Sequence, residues 1–404
     1  MREVYLDHLS ATRLLPEVLE AMRPVLTENF GSPASLHRHG LRAREALNQA
    51  RVTLASLIQA GAPEEIILTS GGTEAANLAI KGTAWASQKR GNHIVTSAIE
   101  HPSVLNSIEF LEKQGFTATR VPVDAQGRIA PEAIREAITE QTILICVHHA
   151  NHDVGTIQPV QQVVEVSEER GIPVFVDATA SAGWLPVDVQ QWGAALVSLA
   201  PHRFYGPKGV GVLYKARQAR LQSLVHGGMQ EQEKRAGTEN LPAIVGAGAA
   251  AIAARRDLPK RLEHVSQLQR RLWERLKTEI THARLNGPPL GDERLYTNLN
   301  ISFEFVEGEG ITLMADMQGL SIASGAACVS KALKASPVLT AMGVPHALAQ
   351  GNVILSLGQE NTEEEMGYTA DVLARIVQKL RGMSPSWEEF RKGFVPAMTP
   401  ASAQ

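Results

Sequence analysis

From about residue 60 to 215, short apolar runs alternate with longer stretches in which apolar residues recur every three or four positions. The runs lie at 66–68, 94–95, 143–147, 174–176, 196–198 and 210–213 and are rich in Ile and Val. Short β-branched runs between helical periods predict strands. Their alternation predicts an α/β fold with a mostly parallel central sheet and helices on both faces. Ligands in such sheets sit beyond the carboxyl ends of the strands. An Ala/Gly-rich stretch at 246–254 then gives way to Leu258, Leu262, Val265, Leu268, Leu272 and Leu276, the spacing of helical segments leading into a smaller α/β domain. That domain has strand signals at 299–303 and 353–357 and closes with a charged helix beginning near Thr362. The predicted organisation is an N-terminal segment 1–15 joining the small domain, a large domain 16–255, a small domain 256–384 and a loosely ordered tail 385–404. No internal repeat is visible.

Composition narrows the class. The 404 residues carry 39 Lys+Arg against 42 Asp+Glu, a net charge of −3, so a generic nucleic-acid or acidic-membrane binder is not expected. Arg255, Arg256, Arg261, Arg270, Arg271 and Arg275 are interspersed with Glu263, Glu274 and Glu279, which predicts a solvated amphipathic helix. Two cysteines make no disulfide framework. Cys146 falls within an apolar run and is expected to be a core thiol. No apolar run reaches the roughly 18 residues of a membrane span, and the reading is a cytoplasmic protein.

Candidate chemistry begins at Thr69-Ser70-Gly71-Gly72-Thr73-Glu74, where a strand signal runs through glycines into a helix. Backbone N–H groups, the helix N-terminus and the Thr73 hydroxyl would cradle a phosphate there; a tight turn with a threonine cap is the plain alternative. Asp177 ends an apolar run, and a carboxylate so placed needs a partner such as a protonated ring nitrogen, or else caps a helix. His202-Arg203-Phe204-Tyr205-Gly206-Pro207-Lys208-Gly209 follows the next strand and leads into a glycine-rich hairpin.

These residues, together with Tyr5-Leu6-Asp7, the segment 30–37, Glu100-His101, the segment 154–159, Arg235-Ala236-Gly237-Thr238-Glu239-Asn240 and Ser324-Gly325-Ala326-Ala327-Cys328, resemble the cysteine desulfurases. These are class V aminotransferases of the pyridoxal-phosphate (PLP) dependent transferase type I fold, and the nearest branch serves iron–sulfur assembly and tRNA thiolation. The resemblance runs from about residue 3 to 380. It implies that Thr73 binds the cofactor phosphate, His101 stacks on the pyridine ring and Asp177 pairs with the ring nitrogen. His202 becomes a further active-site neighbour, and Thr238 completes the phosphate site across a homodimer. Cys328 falls at the nucleophilic cysteine that takes sulfur as a persulfide.

Departures from the family pattern cluster in the same pocket. Where the resemblance calls for Ser-x-His-Lys, with the lysine carrying the cofactor covalently, the chain reads Ala200-Pro201-His202-Arg203. A guanidinium with a pKa above about 12 stays protonated and cannot act as that amine. His152 replaces the second Asn of an Asn-Asn-Glu segment, Ala180 a glutamine, and Ile354 the arginine that clamps the substrate carboxylate. Lys208, five residues on, is read as structural or phosphate-facing.

The reading is therefore a cysteine desulfurase-like protein that has lost PLP–lysine chemistry and handles sulfur through Cys328. It would accept and pass on a persulfide, or scaffold such transfer, for iron–sulfur or thiolation pathways. No covalent cofactor is expected. Two alternatives stand beside it: a non-catalytic regulatory subunit that pairs with itself or an active relative, and an enzyme with non-covalent PLP. A metal on His101, His152, Asp177, His202 and Cys328, or an iron–sulfur cluster shared with a partner, is a weaker alternative. Implied partners are a second copy of the chain and a sulfur donor or acceptor protein.

Overall fold

The computed structural model describes residues 2–325 and 335–393. Its strands are β1 (Val4–Tyr5), β2 (Ile66–Thr69), β3 (His93–Ser97), β4 (Thr117–Val121), β5 (Thr142–His148) and β6 (Val174–Asp177). They continue with β7 (Leu196–Leu199), β8 (Gly211–Lys215), β9 (Ala283–Leu285), β10 (Asn298–Phe303), β11 (Leu320–Ser321) and β12 (Asn352–Ser356). The large sheet has the order β2-β8-β7-β6-β5-β3-β4 and is parallel except for β8, which runs antiparallel to both neighbours.

The central strands are apolar on both faces because helices cover both. Leu144 and Cys146 of β5 face a core with Ala75, Leu78 and Ala79 of helix Gly72–Ser87 and Val104 and Ile108 of helix Pro102–Glu112. Ile145 and Val147 face the opposite core, built with Leu47 and Leu54 of helix Arg38–Leu57 and with Ala247 and Ala250 further on. Cys146 is fully buried and its thiol is pushed well above the usual range by desolvation, as befits a core thiol. The expected α/β fold with a mostly parallel, helix-covered sheet is the one observed. The smaller sheet, β12-β10-β9, is antiparallel and packs on the helix Glu363–Arg381, whose N-terminus carries a capping box between Thr362 and Glu365. β1 pairs with β11, and Val4 and Leu6 enter the small-sheet core.

The structure departs from the periodicity in four places. β4 escaped notice because it is an edge strand, and most of its residues are exposed. The Ala/Gly stretch and the leucine ladder are one helix, Leu241–Glu279, with Pro259 inside it. Arg261 on this helix is buried, with its guanidinium 4.9 Å from the centre of the Tyr205 ring, so the expected solvated arginine face is interrupted there. The predicted loose tail contains the helix Pro385–Arg391, where Trp387 and Phe390 pack on Phe305 at ring separations of 5.2 and 4.9 Å. Residues 394–404 lie outside the described residues. No helix among the described residues is long and apolar enough to cross a membrane.

Candidate active site

The carboxyl ends of β2, β3, β5, β6 and β7 lie along one rim, and each leads to a predicted site residue, β7 to two. β2 ends at Thr69, and the chain turns through Ser70 and Gly71 into helix Gly72–Ser87, leaving Thr73 exposed in its first turn. This is the geometry of an anion cradle: backbone N–H groups without helical partners beside a hydroxyl. Glu74 in the same turn accepts from Ser70 N at 2.8 Å and from Arg235 Nε at 2.9 Å, which fixes the turn. Gly72 is required by close approach, since a Cβ there would lie 2.7 Å from Thr179 Cγ2 and 3.3 Å from Ala200 Cβ. That contact brings the β2 turn against the loops leaving β6 and β7.

Asp177, at the end of β6, is buried. Its Oδ1 accepts from Thr179 N at 2.9 Å and from Ser198 Oγ at 3.0 Å. His101 caps helix Pro102–Glu112, its Nδ1 accepting from Ser103 N at 3.1 Å. Its ring meets His152 edge to face, with centroids 5.0 Å apart. Burial lowers the pKa of His101, and that of His152 falls well below the usual range, first through burial and then because protonation would set it against His101 and Arg203. Both rings are therefore neutral at pH 7.

The other two histidines of the 148–152 segment are structural. His148 Nδ1 lies 2.8 Å from Glu100 Oε1, which also accepts from Ser97 Oγ at 2.5 Å. His149 Nδ1 lies 2.9 Å from Ser181 Oγ, and its ring packs on Trp192. Among the described residues no three His, Cys, Asp or Glu side chains are placed to hold a metal ion, so His101, His152, Asp177 and His202 do not gather into the ligand set considered from sequence.

The turn after β7, Pro201–Arg203, carries the residues that set this pocket apart. Thr12 clasps it from the N-terminal segment: its Oγ1 donates to His202 O at 2.9 Å and accepts from Tyr205 N at 2.6 Å. Trp184 Nε1 donates to Arg203 O at 2.9 Å. The Arg203 charge acts on Asp7, His101, His152 and His202, lowering the pKa of each. His202 is driven down to about 4, first by burial and then by the charges of Arg203 and Lys208. Asp177 accepts from neutral donors of its own loop and of β7. Lys208 is exposed and lines a surface cleft with Thr12, Arg13 and Glu360.

Thr238 is exposed and lines a small cavity with Thr69, Ser70 and Arg235 of its own chain. Ile354 is half-buried on β12, its N–H donating to Ala323 O at 2.8 Å. Cys328 lies outside the described residues. Site residues that sequence reasoning missed are Asp7, which accepts from Ser10 Oγ at 2.8 Å and sits within range of Arg203, and Glu100, the buried anchor of His148. Both lie inside motifs the resemblance had singled out. Neither has a periodicity or a glycine turn to flag it.

The architecture, a mostly parallel sheet with a phosphate-type cradle after β2 and a carboxylate after β6, defines a class of PLP-fold protein, and comparison with known proteins agrees. Residues 4–368 match the family model described as aminotransferase class-V. Cysteine desulfurase IscS of Dictyoglomus turgidum is 44% identical over 390 residues, covering 96% of this chain and 98% of that protein. Cysteine desulfurase IscS of Clostridium botulinum is 44% identical over 391 residues, 97% and 98% of the two chains. Among solved structures, a NifS-like protein superposes with a TM-score of 0.88 at 33% identity, covering 94% of this chain and 100% of that one. The structure of SspA in complex with cysteine gives a TM-score of 0.77 at 35% identity, with 89% and 99% covered. The chain belongs to the class-V aminotransferase family, among its cysteine desulfurases.

The family implies PLP, and the residues fit it in part. The 70–73 cradle suits its phosphate, and the buried Asp177, held by neutral donors, suits its ring nitrogen. The residue at 203 does not suit covalent attachment, because a guanidinium is protonated at any working pH.

Proposed function

We propose that this chain handles sulfur through Cys328 without a covalent cofactor at position 203. The observation that carries this reading is the arginine at position 203, in the turn Pro201–Arg203 after β7, where a permanently protonated guanidinium stands in place of an amine. Thr73 and the neighbouring backbone N–H groups would hold the phosphate of non-covalent PLP, with Asp177 at its ring nitrogen. PLP so bound supplies an electron sink. Arg203 contributes a fixed positive charge and no proton transfer, while His101 and His152 remain neutral proton acceptors. Ile354, in place of a cationic clamp, removes the bidentate grip on a free amino-acid carboxylate.

Sulfur transfer needs only a thiolate and a leaving group. The Cys328 thiolate attacks the outer sulfur of a persulfide donor, a new S–S bond forms at Cys328, and the donor leaves as its thiolate with the electron pair. Passing the sulfur to an acceptor protein repeats the step in reverse roles. A homodimer, with Thr238 completing the neighbour's cradle, belongs to this proposal.

A second reading, an active L-cysteine desulfurase with conventionally bound PLP, is favoured by the 44% identity to proteins named cysteine desulfurase across nearly the whole chain. One experiment separates the two. The purified protein is loaded with PLP, dialysed, and measured from 300 to 500 nm, then assayed for sulfide release from L-cysteine and for persulfide trapping at Cys328. The proposal expects no borohydride-fixed cofactor, no sulfide from cysteine, and persulfide on Cys328 after incubation with a persulfide donor. Sulfide release by the unaltered chain together with a covalent cofactor adduct overturns it. Restoring the amine with Arg203→Lys is expected to allow covalent fixation of the cofactor.

A further inference from the structure

The loop leaving β5 turns through Asn151, His152 and Asp153. Asp153 is buried, and among the described residues no cation bonds its carboxylate. Its Oδ1 accepts from Asn300 Nδ2 at 2.6 Å, and its Oδ2 accepts from Ser336 Oγ. Its backbone carbonyl accepts from Asn298 Nδ2 at 2.9 Å and again from Asn300 Nδ2 at 3.1 Å. The chain of bonds continues outward, because Asn352 Nδ2 donates to Asn300 Oδ1 and Asn352 Oδ1 accepts from Gly325 N at 3.1 Å. Gly325 and Ser336 are the shoulders of the segment 326–334, which contains Cys328. Both therefore hang on one carboxylate, through Ser336 directly and through Asn300 and Asn352 in turn.

Such a group is expensive. Burial pushes the Asp153 carboxyl up to about 6 even with the Ser336 and Asn300 bonds drawing it down. A carboxylate met in a packed seam by neutral donors gives up stability that an apolar side chain would keep, and local rules are broken in this way where function requires it.

We propose that Asp153 is a positioning residue that ties both shoulders of the Cys328 segment to the pocket loop bearing His152. The tether joins the loop bearing His152 to Gly325 and to Ser336. Its importance for sulfur handling rests on the reading of Cys328 given above, whereas the tether is a set of hydrogen bonds that can be measured without sulfur chemistry.

The test uses the full chain and two readouts: hydrogen exchange at the Gly325 and Leu339 amides, and the alkylation rate of Cys328 by iodoacetamide. Leu339 N donates to Ser336 Oγ and so reports that shoulder. Asp153→Ala is expected to speed exchange at both shoulders by about tenfold, the equivalent of one lost hydrogen bond, and to accelerate alkylation of Cys328. Exchange at Ile145, in the middle of β5, stays unchanged. Asp153→Asn keeps an acceptor for Asn300 and offers an N–H to Ser336, so it returns both readouts toward those of the unaltered chain. Ser336→Ala loosens the Leu339 side alone and Asn352→Ala the Gly325 side alone. The proposal falls if Asp153→Ala leaves both shoulders as protected as before, if Asp153→Asn behaves like the alanine variant, or if either single-shoulder variant opens both. Should Asp153→Ala fail to fold, the two single-shoulder variants decide: each must loosen its own side and speed alkylation.

Discussion

β5 and β10 are both fully buried strands, yet they are buried in different ways. β5 reads Thr-Ile-Leu-Ile-Cys-Val-His, and its apolar side chains fill two cores on opposite faces. β10 reads Asn-Leu-Asn-Ile-Ser-Phe and alternates: Leu299, Ile301 and Phe303 enter the small-sheet core, while Asn298, Asn300 and Ser302 are equally buried in a polar seam. Asn286 Nδ2 donates to both Asn300 Oδ1 and Ser302 Oγ at 2.8 Å, and Asp153, Ser336 and Asn352 extend the seam. Gly155 lets the large-sheet loop approach this seam, for a Cβ there, at a φ of +74°, would lie 2.8 Å from Asn298 Oδ1. Apolar burial holds each sheet together. The polar seam fixes how the two sheets meet, since its donors find acceptors only when β10 and the loop bearing Asp153 stand in this arrangement.

The contrast is sharpest when one residue is removed from each strand type. Phe175→Ala in β6, next to β5, opens a cavity in a fully buried core and is expected to cost about 4 kcal/mol in urea denaturation. Asn300→Ala in the seam removes far less volume but strips the Asp153 carboxylate of a donor, and about 3 kcal/mol is expected from the same measurement. A seam cost below about 0.5 kcal/mol would show that the polar network specifies nothing.

The seam alone should also respond to pH. Asp153 binds its proton more tightly in the folded chain, at about 6 against an ordinary value of 3.8. The unfolding free energy it contributes is therefore greatest below about pH 4 and is lost as pH rises to about 6, at most about 3 kcal/mol. Asp153→Asn removes this term, so the stability difference between the variant and the unaltered chain should move in the variant's favour from pH 4 to pH 7. A difference that stays flat across that range contradicts the account.

The smallest effect is expected at Arg261, which is buried like the seam but is not hydrogen-bonded into it. Among the described residues its partners are Asp257 at 3.9 Å and the Tyr205 ring. Arg261→Met trades a poorly satisfied charge for apolar contact, and a change within about 1 kcal/mol is expected in the denaturation midpoint.

Much of the candidate site was legible because its signals are local. The glycine turn at 70–73, the carboxylate ending β6 and the Ala200-Pro201-His202-Arg203 turn each lie within a few residues of an apolar run, and the fold brings them to one rim. His148 and His149 stand next to His152 in the chain, and nothing local sorts the three. His148 and His149 turn to Glu100 and Ser181, while His152 meets His101, and those partners are set by strand register. Asp153 gave no signal, for its partners stand 147 and 183 residues away.

By itself, the sequence determined the α/β class, most of the strands, the core fate of Cys146 and the presence of arginine at 203, because hydrophobic period and side-chain identity are properties of the chain. Tertiary structure alone decided that Arg261 and the asparagines of β10 are buried, that Thr12 clasps the His202 turn, and that one carboxylate holds both shoulders of the Cys328 segment. The reason is physical: a polar side chain can leave water only where distant parts of the chain supply its hydrogen-bond partners, and no local pattern records where those partners are.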